Sequence, residues 1–113
     1  MRHESLDFAP GFRVVFSVRE AQAAVMTIPP GDGEGGPGNR HRGADQWLYV
    51  VEGEGLAILD GREQPLHPGD LLVIEHGERH EVRATGDAPL RTLNFYYPPA
   101  FDREGDAIGP GKG

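Results

Sequence analysis

Residues 46–59 read Gln46-Trp47-Leu48-Tyr49-Val50-Val51-Glu52-Gly53-Glu54-Gly55-Leu56-Ala57-Ile58-Leu59. Two short runs rich in aromatic and β-branched residues are parted by a pair of glycines, and Asp60-Gly61 follows at once, a two-residue hairpin turn of the kind that needs positive φ. Neither run is long enough for a core helix, so the spacing predicts strands over 46–51 and 56–59. The same pattern extends outward. Phe12–Val18 and Ala23–Ile28 read as a hairpin turning around Arg19-Glu20-Ala21-Gln22, and Glu63–Leu66, Leu71–Ile74, His80–Ala84 and Leu90–Tyr97 read as further strands. Pro68-Gly69, Gly77 and Gly86-Asp87 mark the corners between them. Short strands at this spacing predict an all-β jelly roll or closed barrel with no helix required.

The chain has 113 residues, no cysteine and a net charge of −7. This length suits one domain, 1–113, and buries enough surface to fold without disulfide or metal staples. Any metal then serves function. Without cysteine there is no disulfide framework, thiolate nucleophile or all-thiolate zinc site, and a cytoplasmic location is the expectation. No apolar run approaches a membrane span, and Met1-Arg2-His3-Glu4-Ser5 lacks the apolar core of a signal peptide. An acidic surface repels phosphate backbones and anionic lipids, which argues against nucleic-acid and membrane partners. Glycine (17) and proline (10) concentrate in residues 29–38, predicting a glycine-rich loop, and near the end of a tail over 98–113. Pro98-Pro99 stops the last strand, so residues 100–108 are expected to cross the surface, pinned by Phe101 and Ile108.

Alternation along a strand sorts the histidines. Asn39 and His41 share a face, as do Gln46, Leu48 and Val50, and as do His80, Val82 and Ala84. The apolar members point inward, placing Asn39, His41, Gln46 and His80 at the mouth of an apolar interior, where small-molecule sites are usually built. Trp47, Tyr49 and Val51 point the other way as an apolar stripe, and pairing in a homodimer would cover it.

At these residues the sequence resembles the cupin superfamily over about 23–97. One cupin motif reads glycine, five residues, His-x-His, three or four residues, glutamate, six residues, glycine. Here that register ends on Gly53 and runs back through Gln46 and His41 to Asn39. In the second motif, Gly69, Glu75, Gly77, His80 and Ala84 occupy the places of glycine, proline, glycine, histidine and asparagine. The resemblance implies a double-stranded β-helix barrel holding one divalent metal. The carried-over ligands are His41 and His80 through ring nitrogen and Gln46 through its amide oxygen, with Asn39 a fourth. Such a neutral nitrogen and oxygen set suits divalent Mn, Fe, Co, Ni, Cu or Zn. Two functions follow. One is a metal-dependent protein binding a small oxygen-bearing molecule, as an oxygenase, isomerase or lyase; the other is a metal-free binding or sensing module without catalysis. No residue is assigned as general base, Glu75, Tyr96 and Tyr97 being the groups near the register.

Three other signals carry less. Gly31-Asp32-Gly33-Glu34-Gly35-Gly36 spells a dinucleotide glycine pattern, but no helix follows and two carboxylates would repel a pyrophosphate. His76 and His80 stand four apart, yet Gly77 opposes a helix there; His3, His67 and His76 read as surface residues. Ser5 and Ser17 lack a nucleophile-elbow context.

Overall fold

The computed structural model describes residues 1–35 and 43–101. Among them run nine β-strands: β1 (Gly11–Val18), β2 (Ala21–Ile28), β3 (Gly33–Gly35), β4 (Asp45–Glu52), β5 (Gly55–Leu59), β6 (Arg62–Leu66), β7 (Leu71–Ile74), β8 (His80–Ala84) and β9 (Leu90–Tyr97). They form two antiparallel sheets, ordered β1-β2-β9-β4-β7 and β3-β8-β5-β6. The expected all-β jelly roll is present, with each of the eight strands read from sequence in its place.

Two details differ. The first hairpin closes on Arg19-Glu20 alone, because Val18 pairs with Ala21. Arg19 takes the left-handed conformation (φ 53°) that makes so tight a turn. Ala21 and Gln22, expected in the turn, therefore belong to β2. The second difference is β3, which lies inside the glycine-rich loop and has no apolar side chain to advertise it. Backbone pairing with β8 forms it, and the ladder runs on through Gly31 N–H to Ala84 O (3.1 Å) and Ala84 N–H to Asp32 O (2.9 Å). Arg83 holds this edge from outside, donating to Gly31 O (3.1 Å) and to Glu81 (2.7 Å).

Register dictates where the core sits, because residues directly opposite in an antiparallel pair share a face. Met26, Ile28, Leu48, Val50 and Leu90 of one sheet meet Ala57, Leu66, Val82 and Ala84 of the other. Each fully buried Leu or Ile there contributes about 2 kcal/mol. A second cluster, Ala24, Ala44, Tyr96 and Ala100, gathers with Phe12 and Phe101. Phe101 stacks at 4.6 Å on Phe12 and 5.0 Å on Tyr96, so it pins the chain after β9 as expected. Buried Gln22 secures the same segment, accepting from the backbone N–H groups of Ala100 and Phe101 and donating to Phe101 O. Ile108 falls in residues 102–113, outside the described residues.

The motif glycine Gly53 turns the chain between β4 and β5 with φ 90°. A Cβ there would strike the Pro89 carbonyl oxygen, so the tight approach of this turn to the start of β9 requires glycine.

Candidate functional site

The interior is apolar toward Val50, Ala84 and Leu90 and polar at the opposite end, where β4 begins with Gln46 and β8 with His80. Gln46 stands opposite Tyr96 on one side and Ile74 on the other, and is 3% exposed. Its Nε2 donates to Asn94 Oδ1 (2.8 Å), Asn94 Nδ2 donates to Thr92 Oγ1 (2.9 Å), and Thr92 Oγ1 donates to the Met26 carbonyl (2.9 Å). The far end fixes the direction of the chain. A carbonyl only accepts, so the Thr92 hydroxyl must donate to it and accept from Asn94, whose oxygen must then face a donor. Gln46 meets that need with its N–H, which turns its own oxygen away. Gln46 Oε1 is left fully buried with no hydrogen-bond partner among the described residues. An unpaired buried acceptor is costly in a folded protein and invites a donor.

His80 is 5% exposed and lies on the interior face with Val82. Its Nδ1 sits 3.5 Å from the Glu78 carbonyl, at the limit of hydrogen bonding. The turn before it is tied to the start of β4, since Asp45 Oδ1 accepts from both the backbone N–H and the ring Nδ1 of His76, each at 2.8 Å. Those bonds hold the Asp45 carboxyl below its usual range. His76 is thus an exposed surface residue, as expected, and steadies the loop between the Gln46 and His80 ends of their strands.

Tyr96 closes the group from β9. Burial raises its phenol well above the ordinary tyrosine value, and the negative charge of Glu34 raises it further. The phenol therefore stays protonated and is no base at neutral pH. Tyr97 faces the other way, 57% exposed, with its hydroxyl on Glu20 (3.2 Å). Glu75 is exposed in the turn after β7. Of the four ligands carried over from the resemblance, Gln46 and His80 come to the same end of the interior. Asn39 and His41 lie in residues 36–42, outside the described residues. Among the described residues no three His, Asp or Glu side chains gather as a metal group.

The profile of the cupin domain matches residues 24–96. The chain belongs to the cupin family. This cupin is similar to the oxalate-binding protein of Thermotoga maritima, 33% identical over 70 residues that make up 62% of this chain and 56% of that one. It is also similar to a gentisate 1,2-dioxygenase of Ralstonia sp., 33% identical over 91 residues, 72% of this chain and 25% of the dioxygenase. The chain spans about half or less of the length of the curated relatives it matches. Among solved structures, KdgF from Halomonas sp. superimposes with a TM-score of 0.70 at 27% identity, covering 86% of this chain and 89% of that one. A Bacillus halodurans protein does so with a TM-score of 0.74 at 26% identity, over 88% and 76%.

Cupin superfamily members often bind divalent metals. The described donors of this cupin, one amide oxygen and one imidazole, fit two places of a mixed nitrogen and oxygen site, and the unpaired Gln46 Oε1 is the right kind of atom for it. Sequence reasoning missed the residues that orient this oxygen. Asn94 and Thr92 sit at inward positions of a strand whose other inward residues are Leu90 and Tyr96, so a polar pair in an apolar register was the signal available. It also passed over Glu34, set aside with the glycine pattern.

Proposed function

We propose that the protein binds a small oxygen-bearing molecule at the polar end of its barrel, as a binding or sensing module without catalysis. One observation carries this reading: Gln46 Oε1 is a buried acceptor, fixed in direction by the chain through Asn94 and Thr92, that awaits a donor. Burial raises the Tyr96 phenol, so it is no base at neutral pH, and the two other groups near the motifs, Glu75 and Tyr97, are exposed. The similarity to an oxalate-binding protein supports a small ligand in the same fold.

The placement of His80 and Gln46 favours a second reading, in which His41, His80 and Gln46, with Asn39 as a fourth, hold a divalent transition metal such as Mn, Fe, Ni, Cu or Zn. Bound there, the metal would supply Lewis acidity to an oxygenase, isomerase or lyase reaction. In either reading the chain's own residues do the same work: Asn94 and Thr92 aim the Gln46 oxygen, and the Asp45–His76 contact steadies the loop that leads to His80. We place the protein in the cytoplasm and pair it as a homodimer through the outer face of the five-stranded sheet. Trp47 there lies opposite both Phe95 and Val73, and Tyr49 opposite Leu71, making one continuous apolar face.

Native mass spectrometry of the purified protein, with elemental analysis before and after soaking in Mn, Fe or Zn, separates the readings. A bound organic molecule in metal-free protein, lost in Gln46→Leu, supports the first. Stoichiometric metal lost in His80→Ala supports the second. Protein that carries neither, as purified and after soaking, contradicts both.

A further inference from the structure

Glu34 stands opposite Val82 in the β3–β8 pairing, so its side chain leaves the backbone on the interior face, although the residue itself is exposed at the edge. Val82 is the next residue after His80 on that face of β8, so the register sets Glu34 beside the polar end, and its charge adds to the rise of the Tyr96 phenol. The two sheets thus each bring an acceptor toward the polar end, the exposed Glu34 carboxylate from one and the buried, unpaired Gln46 Oε1 from the other. Among the described residues, the arginine on the same face by register is Arg62, opposite Leu59 on the edge strand β6, and it shares a surface groove of about 280 Å³ with Asp60, Glu63 and Glu78.

We propose that this polar end selects a neutral ligand that donates hydrogen bonds, through hydroxyl or amide N–H groups, to Glu34 and Gln46, and turns away free carboxylates. The proposal rests on the reading that the polar end is the ligand site, and adds the chemical class it takes. A donor on the ligand satisfies the buried Gln46 oxygen, which a carboxylate at neutral pH cannot do. An anion would also meet the like charge of Glu34 on its way in. A buried acceptor that a ligand can satisfy only by donating is one way a site rejects the wrong partner.

Oxalate and oxamide make a matched test, since both are planar two-carbon molecules of similar size. The first is a dianion; the second is neutral and carries amide N–H donors. Each is titrated by NMR into protein freed of metal with a chelator, and into Glu34→Gln, which keeps the side-chain shape, removes the charge and replaces an exposed residue. The proposal expects oxamide to bind the parent about tenfold tighter than oxalate, with the gap narrowing in Glu34→Gln as oxalate binding improves. Oxalate binding the parent as tightly as oxamide, or an affinity ratio unchanged by Glu34→Gln, overturns the selection while leaving the site in place. Failure of both molecules to shift any resonance at the polar end overturns the proposal together with the site beneath it.

Discussion

Asn94 has no contact with solvent, yet it sets the chemistry of a neighbour. It accepts from Gln46 and donates to Thr92, and through that relay the carbonyl of Met26 decides which end of the Gln46 amide faces the interior. Asn94→Ala removes both bonds and leaves the Gln46 N–H buried without an acceptor. We expect a loss of about 1–3 kcal/mol in chemical denaturation and, because the amide is then free to turn, a scrambled Gln46 oxygen and weaker ligand binding. An Asn94→Ala protein as stable as the parent would mean that the relay does not order the site. At this scale the resemblance to the cupin motifs was the guide, and it singles out Gln46 and His80 by counting from Gly53 and Gly69. The relay is not found that way, because its logic is directional and passes through a backbone carbonyl on a strand 66 residues away. Glu34 was hidden for a different reason: two flanking glycines read as loop, and its aim into the interior depends on pairing with a strand nearly 50 positions later.

Most of the eight strands were readable from an apolar face of period two with a turn residue at the end, whereas β6, with Leu66 as its buried residue, was readable from the turns on either side. β3 has neither, being three residues of main chain laid on β8 and clasped by Arg83. The first hairpin turn is two residues shorter than the sequence suggested, because burial of Gln22 against Ala100 and Phe101 draws Ala21 and Gln22 into β2. Turns also differ in what they tolerate. Gly61 takes φ 82° with open space where a Cβ would stand, while Gly53 combines φ 90° with the Pro89 carbonyl at that place. Gly61→Ala should cost about 1 kcal/mol, the strain of a left-handed alanine, and Gly53→Ala clearly more, since backbone must shift as well. Equal costs by thermal denaturation would show that the β4–β5 corner is not fixed by its approach to β9.

For the molecule as a whole, the outer face of the five-stranded sheet is the feature that a lone barrel leaves unexplained. Trp47 and Phe95, each 45% exposed, adjoin Leu71 at 62% and Tyr97 at 57%, an apolar area of a kind that single-chain proteins rarely leave open. A two-fold pairing brings this apolar face onto its own copy. Light scattering should give twice the 12.3 kDa of one chain, and Trp47→Asp, which places a charge in the contact, should give a single chain. A parent that already scatters as one chain rejects the pairing. The stripe was legible from alternation on β4, though its continuation through Phe95 and Val73 needed the strand order.

The account turns on the polar end of the barrel being where a ligand sits. The direct measurement is a ¹⁵N–¹H NMR screen of small neutral hydroxyl and amide compounds, following the side-chain amide of Gln46 and the ring of His80. The account predicts that binders move both, and that Gln46→Leu removes the response. Binders that shift only the outer face, or that leave the Gln46 amide unmoved while shifting residues elsewhere, would contradict it.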